Sequence, residues 1–291
     1  MADAIEGLRR EGYQLDDMLL LVKMARSTFY YHRGLLKSPD KWSDVREKVL
    51  TIYRQHEGRY GYRRITKALE DDYGLIVNHK TVSRLMLELK IKSMVRVKKF
   101  KSYKGEVGKI APNILKRDFS TTAFNQKWVT DVTEFHLLGA KVYLSPAIDL
   151  HNGEVIGFSI SDSPSYKMVS AMLDDVLSKH HDAKGVILHS DQGSVYQSVK
   201  YQKRLAAAGI VQSMSRRGNC YDNACAESFF SHLKAEFSNI STFDSVTEFK
   251  AELKKYIKYY NENRILTRLG TSPVKYRKIT SNQTNQTNSY I

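Results

Sequence analysis

The sequence predicts an α/β fold, with helices on the faces of a mixed sheet, preceded by an all-α region. Three observations predict it. Up to residue 95 apolar residues recur at helical spacing. From Trp128 they fall into short strand-like runs separated by tight turns. Beyond those runs, amphipathic helices alternate with short apolar segments. With 291 residues and 42% hydrophobic content, the chain can build one large domain and one or two small ones.

Residues 1–40 read as short helices. "LDDMLLLVKMARSTFYYHRGL" breaks around Met24–Ala25, and Ser27 or Thr28 can cap a second helix carrying Phe29, Tyr30 and Tyr31. The pattern fits a helix-turn-helix and an ordinary helical hairpin equally. Residues 41–95 are clearer. "SDVREKVLTIYRQH" places Val45, Val49, Ile52 and Tyr53 on one side, and "GYRRITKALEDDYG" is a second helix closed by Gly74. A third helix follows an Asn78 cap. It turns Val82, Leu85, Met86 and Leu89 inward and His79, Lys80, Ser83, Arg84 and Lys90 outward. A helix of that kind, after a short turn and another helix, fits a recognition helix in a DNA major groove. A plain three-helix bundle with a solvated basic face fits the same pattern.

Residues 96–125 have no sustained period; they are rich in Lys and interrupted by Gly, Ser and Pro112. They are a basic linker, either tracking phosphates through residues such as Lys98, Lys99 and Lys101 or acting as a mobile tether. Within 126–240, "KWVTDVTEFHL", "KVYLSPAIDL" and "EVIGFSIS" suggest an antiparallel meander, with Asp131 in mid-strand. Then come a helix ("SYKMVSAMLDDVLSKH"), a buried strand ("GVILHSD"), a helix, a strand ("IVQSMS") and a helix beginning near Asp222. This β-β-β-α-β-α-β-α order is also that of the ribonuclease H-like fold. Residues 241–279 form one or two more helices, and the polar tail 280–291 is expected to be disordered.

Composition narrows the function. The longest apolar runs are too short and too charged to span a bilayer, and no leader is recognisable, so a soluble, cytoplasmic protein without membrane partners is expected. Two cysteines are too few for a disulfide scaffold, and Cys220 and Cys225 lack the partners a zinc site needs. Net charge is +15 and unevenly spread: residues 1–125 hold 26 Lys+Arg against 15 Asp+Glu, while 126–291 hold 20 against 16. A localised basic excess is the footprint of a polyanion partner.

The chemistry rests on acids. Asp131 lies in the first strand, Asp191 ends "VILHSD", and Glu227 sits on the helix after "GNCYDNA". An acid inside a central strand is costly unless neutralised, and strand ends are where ligands converge in α/β sheets. Three carboxylates gathered there would repel one another and call for a cation. Two-metal phosphoryl transfer suits such a set, with two Mg²⁺ ions about 3.5–4 Å apart sharing carboxylate and phosphodiester oxygens. Glu134 and Asp222 are second-tier candidates, and Asp149 in "AIDLHNG" fits a turn role.

The motifs "WVTDVTEF", "HSDQGSVY" and "NCYDNACAESFFSHLK" resemble the catalytic signature of the DDE transposases of bacterial insertion sequences, more narrowly the second-reading-frame product of the IS-three family. Thirty-five residues separate Asp191 from Glu227, which is that group's spacing. "RYGYRRITKAL" and "NHKTVSRLM" resemble its helix-turn-helix module, "PNILKRDF" its pre-core linker and "YYNENR…TSPVKY" its C-terminal signature. The resemblance covers most of the chain. It implies a ribonuclease H-like, retroviral-integrase core with a mixed five-stranded sheet, and Asp131, Asp191 and Glu227 as catalytic metal ligands for Mg²⁺, with Mn²⁺ able to substitute. The resemblance makes Lys234, two helical turns beyond Glu227, the family's basic residue that holds DNA, while spacing alone fits a solvated surface lysine equally. Arg216 and Arg217 are further candidate DNA contacts. Ser231 departs from the lysine integrases often carry there.

The resemblance further implies cleavage at the element's ends to free a 3′-OH, direct strand transfer, and a copy-out route through a circular intermediate. The partners implied are double-stranded DNA (terminal inverted repeats and target), at least a second copy of the chain, and an upstream-frame segment fused or in complex. A catalytically inert DNA-binding regulator and a purely hydrolytic ribonuclease H-like nuclease are the alternatives.

Overall fold

The computed structural model describes residues 1–37, 40–94, 110–181, 183–216, 220–237 and 243–288. The expected DNA contacts Lys98, Lys99, Lys101 and Arg217 lie outside these residues.

Helices α1 (Ala2–Arg10), α2 (Leu15–Leu21) and α3 (Arg26–Lys37) close on Ala2, Ile5, Leu15, Leu19 and Phe29. A second helical unit follows: α4 (Ser43–Gln55), α5 (Tyr62–Tyr73) and α6 (His79–Glu88). The expected apolar faces meet in its core, with Val45, Val49 and Ile52 against Ile65 and Leu69 and against Val82, Leu85 and Met86. Gly74 ends α5 at a left-handed φ of 66°, a conformation glycine adopts without Cβ strain. Asn78 caps α6 by accepting the Lys80 amide at 2.8 Å.

The core strands are β1 (Lys127–Thr130), β2 (Thr133–Leu137), β3 (Ala140–Asp149), β4 (Val155–Ser161), β5 (Ile187–Ser190) and β6 (Val211–Met214). The sheet has six strands rather than five because the expected first strand is split. β1 and β2 pair with the same edge of β3 in one register, Trp128 with Asp149 through Thr130 with Ala147, then Thr133 with Leu144 onward. Asp131 therefore follows a strand instead of sitting within one. The continuing register sets it opposite Pro146, a residue without a ladder N–H, and its own carboxylate accepts the Val132 amide at 2.7 Å. β4 covers the other edge of β3, and β5 and β6 extend the sheet in parallel from β1.

Successive residues of β1 serve opposite faces. Trp128 packs with Ile156, Leu188 and helices α7 (Tyr166–Lys179) and α8 (Val199–Ala207). Val129 packs with Leu144, Ile148 and helices α9 (Ala224–Glu236) and α10 (Val246–Glu262). Gly157 lets α7 come close: a Cβ there would stand 2.5 Å from Val176 Cγ2 and 2.9 Å from its amide nitrogen.

Two further expectations are corrected. Residues 110–118 are no tether: the Ile114 and Leu115 amides donate to Ser213 Oγ at 2.9 and 3.1 Å, and Leu115 is buried in the core. This segment covers the free edge of β6, which would otherwise present unpaired backbone. The tail is helical as far as Asn288, because α11 (Pro273–Asn288) is anchored in its first turns. Arg277 Nε donates to Glu154 at 2.7 Å and its guanidinium lies over Phe124. Once a helix is nucleated, adding polar residues costs little. No described helix is long and apolar enough to cross a membrane.

Candidate active site

Asp131 and Asp191 are the first residues after two neighbouring parallel strands. β1 and β5 run with Val129 beside His189, and that register carried forward two residues sets Asp131 beside Asp191. The strand ends beneath them are rigid: Thr130 and Ser190 are buried, and the Tyr196 hydroxyl lies 3.4 Å from Thr130 Oγ1. Each carboxylate is oriented by a nearby amide, Asp131 Oδ1 by Val132 and Asp191 Oδ1 by Gly193 at 2.9 Å. A Cβ on Gly193 would stand 2.9 Å from that same Asp191 oxygen, so the glycine makes room for the carboxylate.

Burial, then the charge of Asp191, pushes the Asp131 carboxyl up to about 8; Glu227 adds to the shift, while the Val132 amide and the Lys234 ammonium oppose it. Asp191 is raised as well, mainly by burial. Two adjacent acids that resist ionising together are stabilised by a cation that takes the proton's place. The donors are all hard oxygens, which suits Mg²⁺ or Mn²⁺ and not a soft metal. Glu227 is exposed in the first turn of α9, close enough for its charge to be felt at Asp131. Among the described residues no three His, Cys, Asp or Glu side chains close tightly enough to enclose an ion. The structure thus brings two acids abreast, with the third near enough for its charge to reach Asp131.

Comparison with known proteins agrees with this architecture. An integrase core domain family matches residues 121–220, a second integrase core domain family matches 227–280, and an HTH-like domain family matches 41–99. InsK of Escherichia coli (strain K12), described as a transposase for insertion sequence element IS150, is 48% identical over 93% of this chain and 96% of its own length. The transposase for insertion sequence element IS904 of Lactococcus lactis is 35% identical over 86% of this chain and all of its own length. The chain belongs to the insertion-sequence transposases of the IS-three family. A simian T-cell lymphotropic virus intasome structure covers 78% of the transposase and 73% of its own chain at 14% identity and a TM-score of 0.46.

In this transposase the entry to α9 is fixed by Asp222, which belongs to the helix mount and not to the acid pair. It is fully buried in a short 3-10 helix (Cys220–Asn223). It accepts from Arg216 Nε at 3.0 Å, Arg117 Nε at 2.7 Å and Asn113 Nδ2 at 3.1 Å. Arg216's hydrogen bond leads in holding its carboxyl well below the usual range. Sequence reading missed Asn113, Arg117, Gly193 and Tyr196 as supports of the site. The available signals were the motifs themselves: Asn113 and Arg117 fall in "PNILKRDF", and Gly193 and Tyr196 in "HSDQGSVY". Arg216, read as a DNA contact, spends part of its guanidinium on Asp222 while remaining exposed.

His79, Lys80, Ser83 and Arg84 are exposed on α6, as expected, with Arg84 ion-paired to Glu88 at 3.4 Å. Lys234 lies near Asp131, with its ammonium 5.5 Å from the Phe135 ring. Ser231 is exposed. Glu134 faces away, paired with Lys141 and His136 at the hairpin. Asp149 performs the expected turn role, accepting the Asn125 and His151 amides at 2.9 Å. Cys225 is a free thiol whose pKa burial raises, the opposite of an activated cysteine.

Proposed function

We propose that this transposase is a divalent-metal-dependent polynucleotidyl transferase, with Asp131, Asp191 and Glu227 as its catalytic acids and the ligands of two Mg²⁺ ions, Mn²⁺ being able to substitute. The observation that carries the reading is the Asp131–Asp191 pair: two acids set abreast at parallel strand ends, with Asp131 held protonated up to about pH 8. Bound Mg²⁺ would neutralise these acids, polarise the phosphodiester and make the attacking oxygen more acidic.

The chain's own residues supply the rest. The Val132 and Gly193 amides fix one oxygen of each aspartate, so the acids need little reorganisation when they give up their proton. Asp222 and its arginines hold the start of α9, which aims Glu227. Lys234 meets a DNA phosphate beside the pair. The outward face of α6 (His79, Lys80, Ser83 and Arg84) reads the terminal repeat, while Arg216, Arg217, Lys98, Lys99 and Lys101 hold phosphates.

Two transfers follow. Water attacks a phosphodiester at the element's end; one P–O bond forms, one breaks, and the departing oxygen becomes a 3′-OH. That 3′-OH attacks a target phosphodiester, again forming one P–O bond as another breaks, so joining needs no energy cofactor. Handling two ends calls for at least two copies of the chain, and an upstream-frame segment completes the assembly. The work is done in the cytoplasm, on nucleoid DNA.

The test is a labelled duplex of the element's end, incubated with Mg²⁺ or EDTA and with wild type or Glu227→Gln. Metal-dependent joining that the variant loses is the expected result. Nicks that never join would make the chain a nuclease. Binding without chemistry, even with the upstream-frame segment fused, would make it a regulator.

A further inference from the structure

Two sequence signatures of this chain take no part in the acid site: "RYGYRR" (Arg59–Arg64) and "YYNENR" (Tyr259–Arg264). Some two hundred residues apart in sequence, they form one contact. Tyr60, fully buried two residues before α5, donates its hydroxyl hydrogen to the Asn263 carbonyl at 3.0 Å and accepts the Ile265 amide at 3.0 Å. Arg64 Nε donates to the Ile265 carbonyl at 3.0 Å, and its Nη1 reaches Glu236 Oε1 at 3.5 Å. His56 stacks on the Tyr60 ring at 3.7 Å between centroids and meets the Tyr259 hydroxyl at 3.1 Å. Ile265 itself packs onto the core of the α4–α6 unit.

Glu236 is the hub. It is the last residue of α9, the helix whose first turn carries Glu227. It accepts from Arg264 Nε at 2.7 Å and from the Tyr256 hydroxyl at 2.9 Å, and Arg264 is itself fully buried. Glu236 lies nine positions beyond Glu227 on one helix, a span of about 13 Å. A continuous chain of buried and part-buried contacts therefore runs from α5, against which α6 packs, through Arg64 and Glu236 to the helix of the third acid.

We propose that Tyr60, Arg64 and Glu236 are positioning residues for strand transfer, locking the DNA-reading helix α6 to the Glu227 helix so that the protein itself sets the distance from recognised sequence to cut phosphodiester. The inference rests on the transposase reading above. It gives the two distant signatures a shared task. A flexible connection between reader and core would let the cut wander along the duplex. A misplacement of about 1 Å at a reacting centre already costs on the order of a hundredfold in rate.

The experiment uses the full chain with an end-labelled duplex of the element's terminus, mapping cut and joined positions at nucleotide resolution. Tyr60→Phe keeps the ring under His56 but loses both hydroxyl bonds; Arg64→Lys keeps the charge but not the forked geometry. Melting temperature and end-duplex affinity are measured alongside. The expected result is near-wild-type folding and affinity, cuts spread over neighbouring phosphodiesters, and correct joining reduced about tenfold or more, with Arg64→Lys milder than Arg64→Met. Unchanged cut position and joining rate in both Tyr60→Phe and Arg64→Met, with only the melting temperature lowered, would make the contact structural and overturn the proposal. Absence of any metal-dependent cutting by wild type would overturn the underlying reading and this one together; wandering or unmoved cuts bear on the latch alone.

Discussion

Two regions of this transposase hold acids in the protein interior and treat them in opposite ways. At Glu236, burial raises the carboxyl's pKa, but the Arg264 hydrogen bonds, the charges of Arg264 and Arg64 and the Tyr256 hydroxyl outweigh it and leave it lowered. At Asp131, burial and the neighbouring Asp191 act together, and the Lys234 charge opposes them only weakly. Glu236 is an acid whose counter-charges are built in. Asp131 is an acid whose counter-charge is left to come from outside. The difference separates a structural carboxylate from a chemical one without reference to any motif.

The comparison breaks most sharply under substitution. Asp131→Asn keeps the shape of the site and removes its charge conflict. Joining should fall by on the order of a thousandfold or more, while the metal-free protein melts at the same or a higher temperature. Joining assays beside calorimetry in EDTA would read this, and a variant that melts lower than wild type would count against an unrelieved charge there. Glu236→Gln should do the reverse to stability. It leaves the buried Arg264 without its partner and takes an ion pair from the part-buried Arg64, which costs about 3 kcal/mol, read as a lower urea midpoint. A midpoint unchanged from wild type would mean that the cluster contributes nothing.

Much of this architecture was legible in the sequence, and the parts that were not share a physical character. Helices α4 to α6 and their inward residues follow from apolar spacing, because a helix packed on one side must repeat near 3.6 residues. The Asp191-to-Glu227 interval and the strand–helix alternation were equally open to reading. The break in the first strand was not. "KWVTDVTEFHL" alternates well, and only the partner strand, with Pro146 opposite Asp131, says where pairing stops. Arg117 and Asn113 converge on Asp222 from over a hundred residues away, and no local pattern encodes such a meeting. The segment that carries them lacks any period because it is pinned by side-chain hydrogen bonds to Ser213 and not by a repeating face.

Gly193→Ala sharpens the comparison at the level of a single oxygen. Its new Cβ would stand 2.9 Å from Asp191 Oδ1, and the carboxylate is the part that can yield. Joining should drop roughly tenfold or more, with the Mg²⁺ concentration needed for half-maximal rate increased and the melting temperature nearly unchanged. A full-rate alanine variant would mean that Asp191 works from some other orientation.

The smallest effect, and the one that tests the origin of the difference, is on pH. Asp131's ordinary value of 3.8 is raised to about 8 in the fold, so between those limits the folded state binds more protons than the unfolded state. Stability then falls as pH rises through that window. Glu236 and Asp222 are shifted the other way; their contribution is present above the ordinary carboxylate range and is lost as pH falls through their lowered values. In EDTA the melting temperature should therefore decline by a few degrees from pH 5 to 8. Saturating Mg²⁺ should flatten the decline by taking the proton's place, and Asp131→Asn should flatten it without any metal. Mg²⁺ affinity should tighten with pH up to about 8 and level off above it. A metal-free profile that rises across this range would mean that the pair is already neutralised by the protein, and that the likeness between its acids and Glu236 is closer than their surroundings indicate.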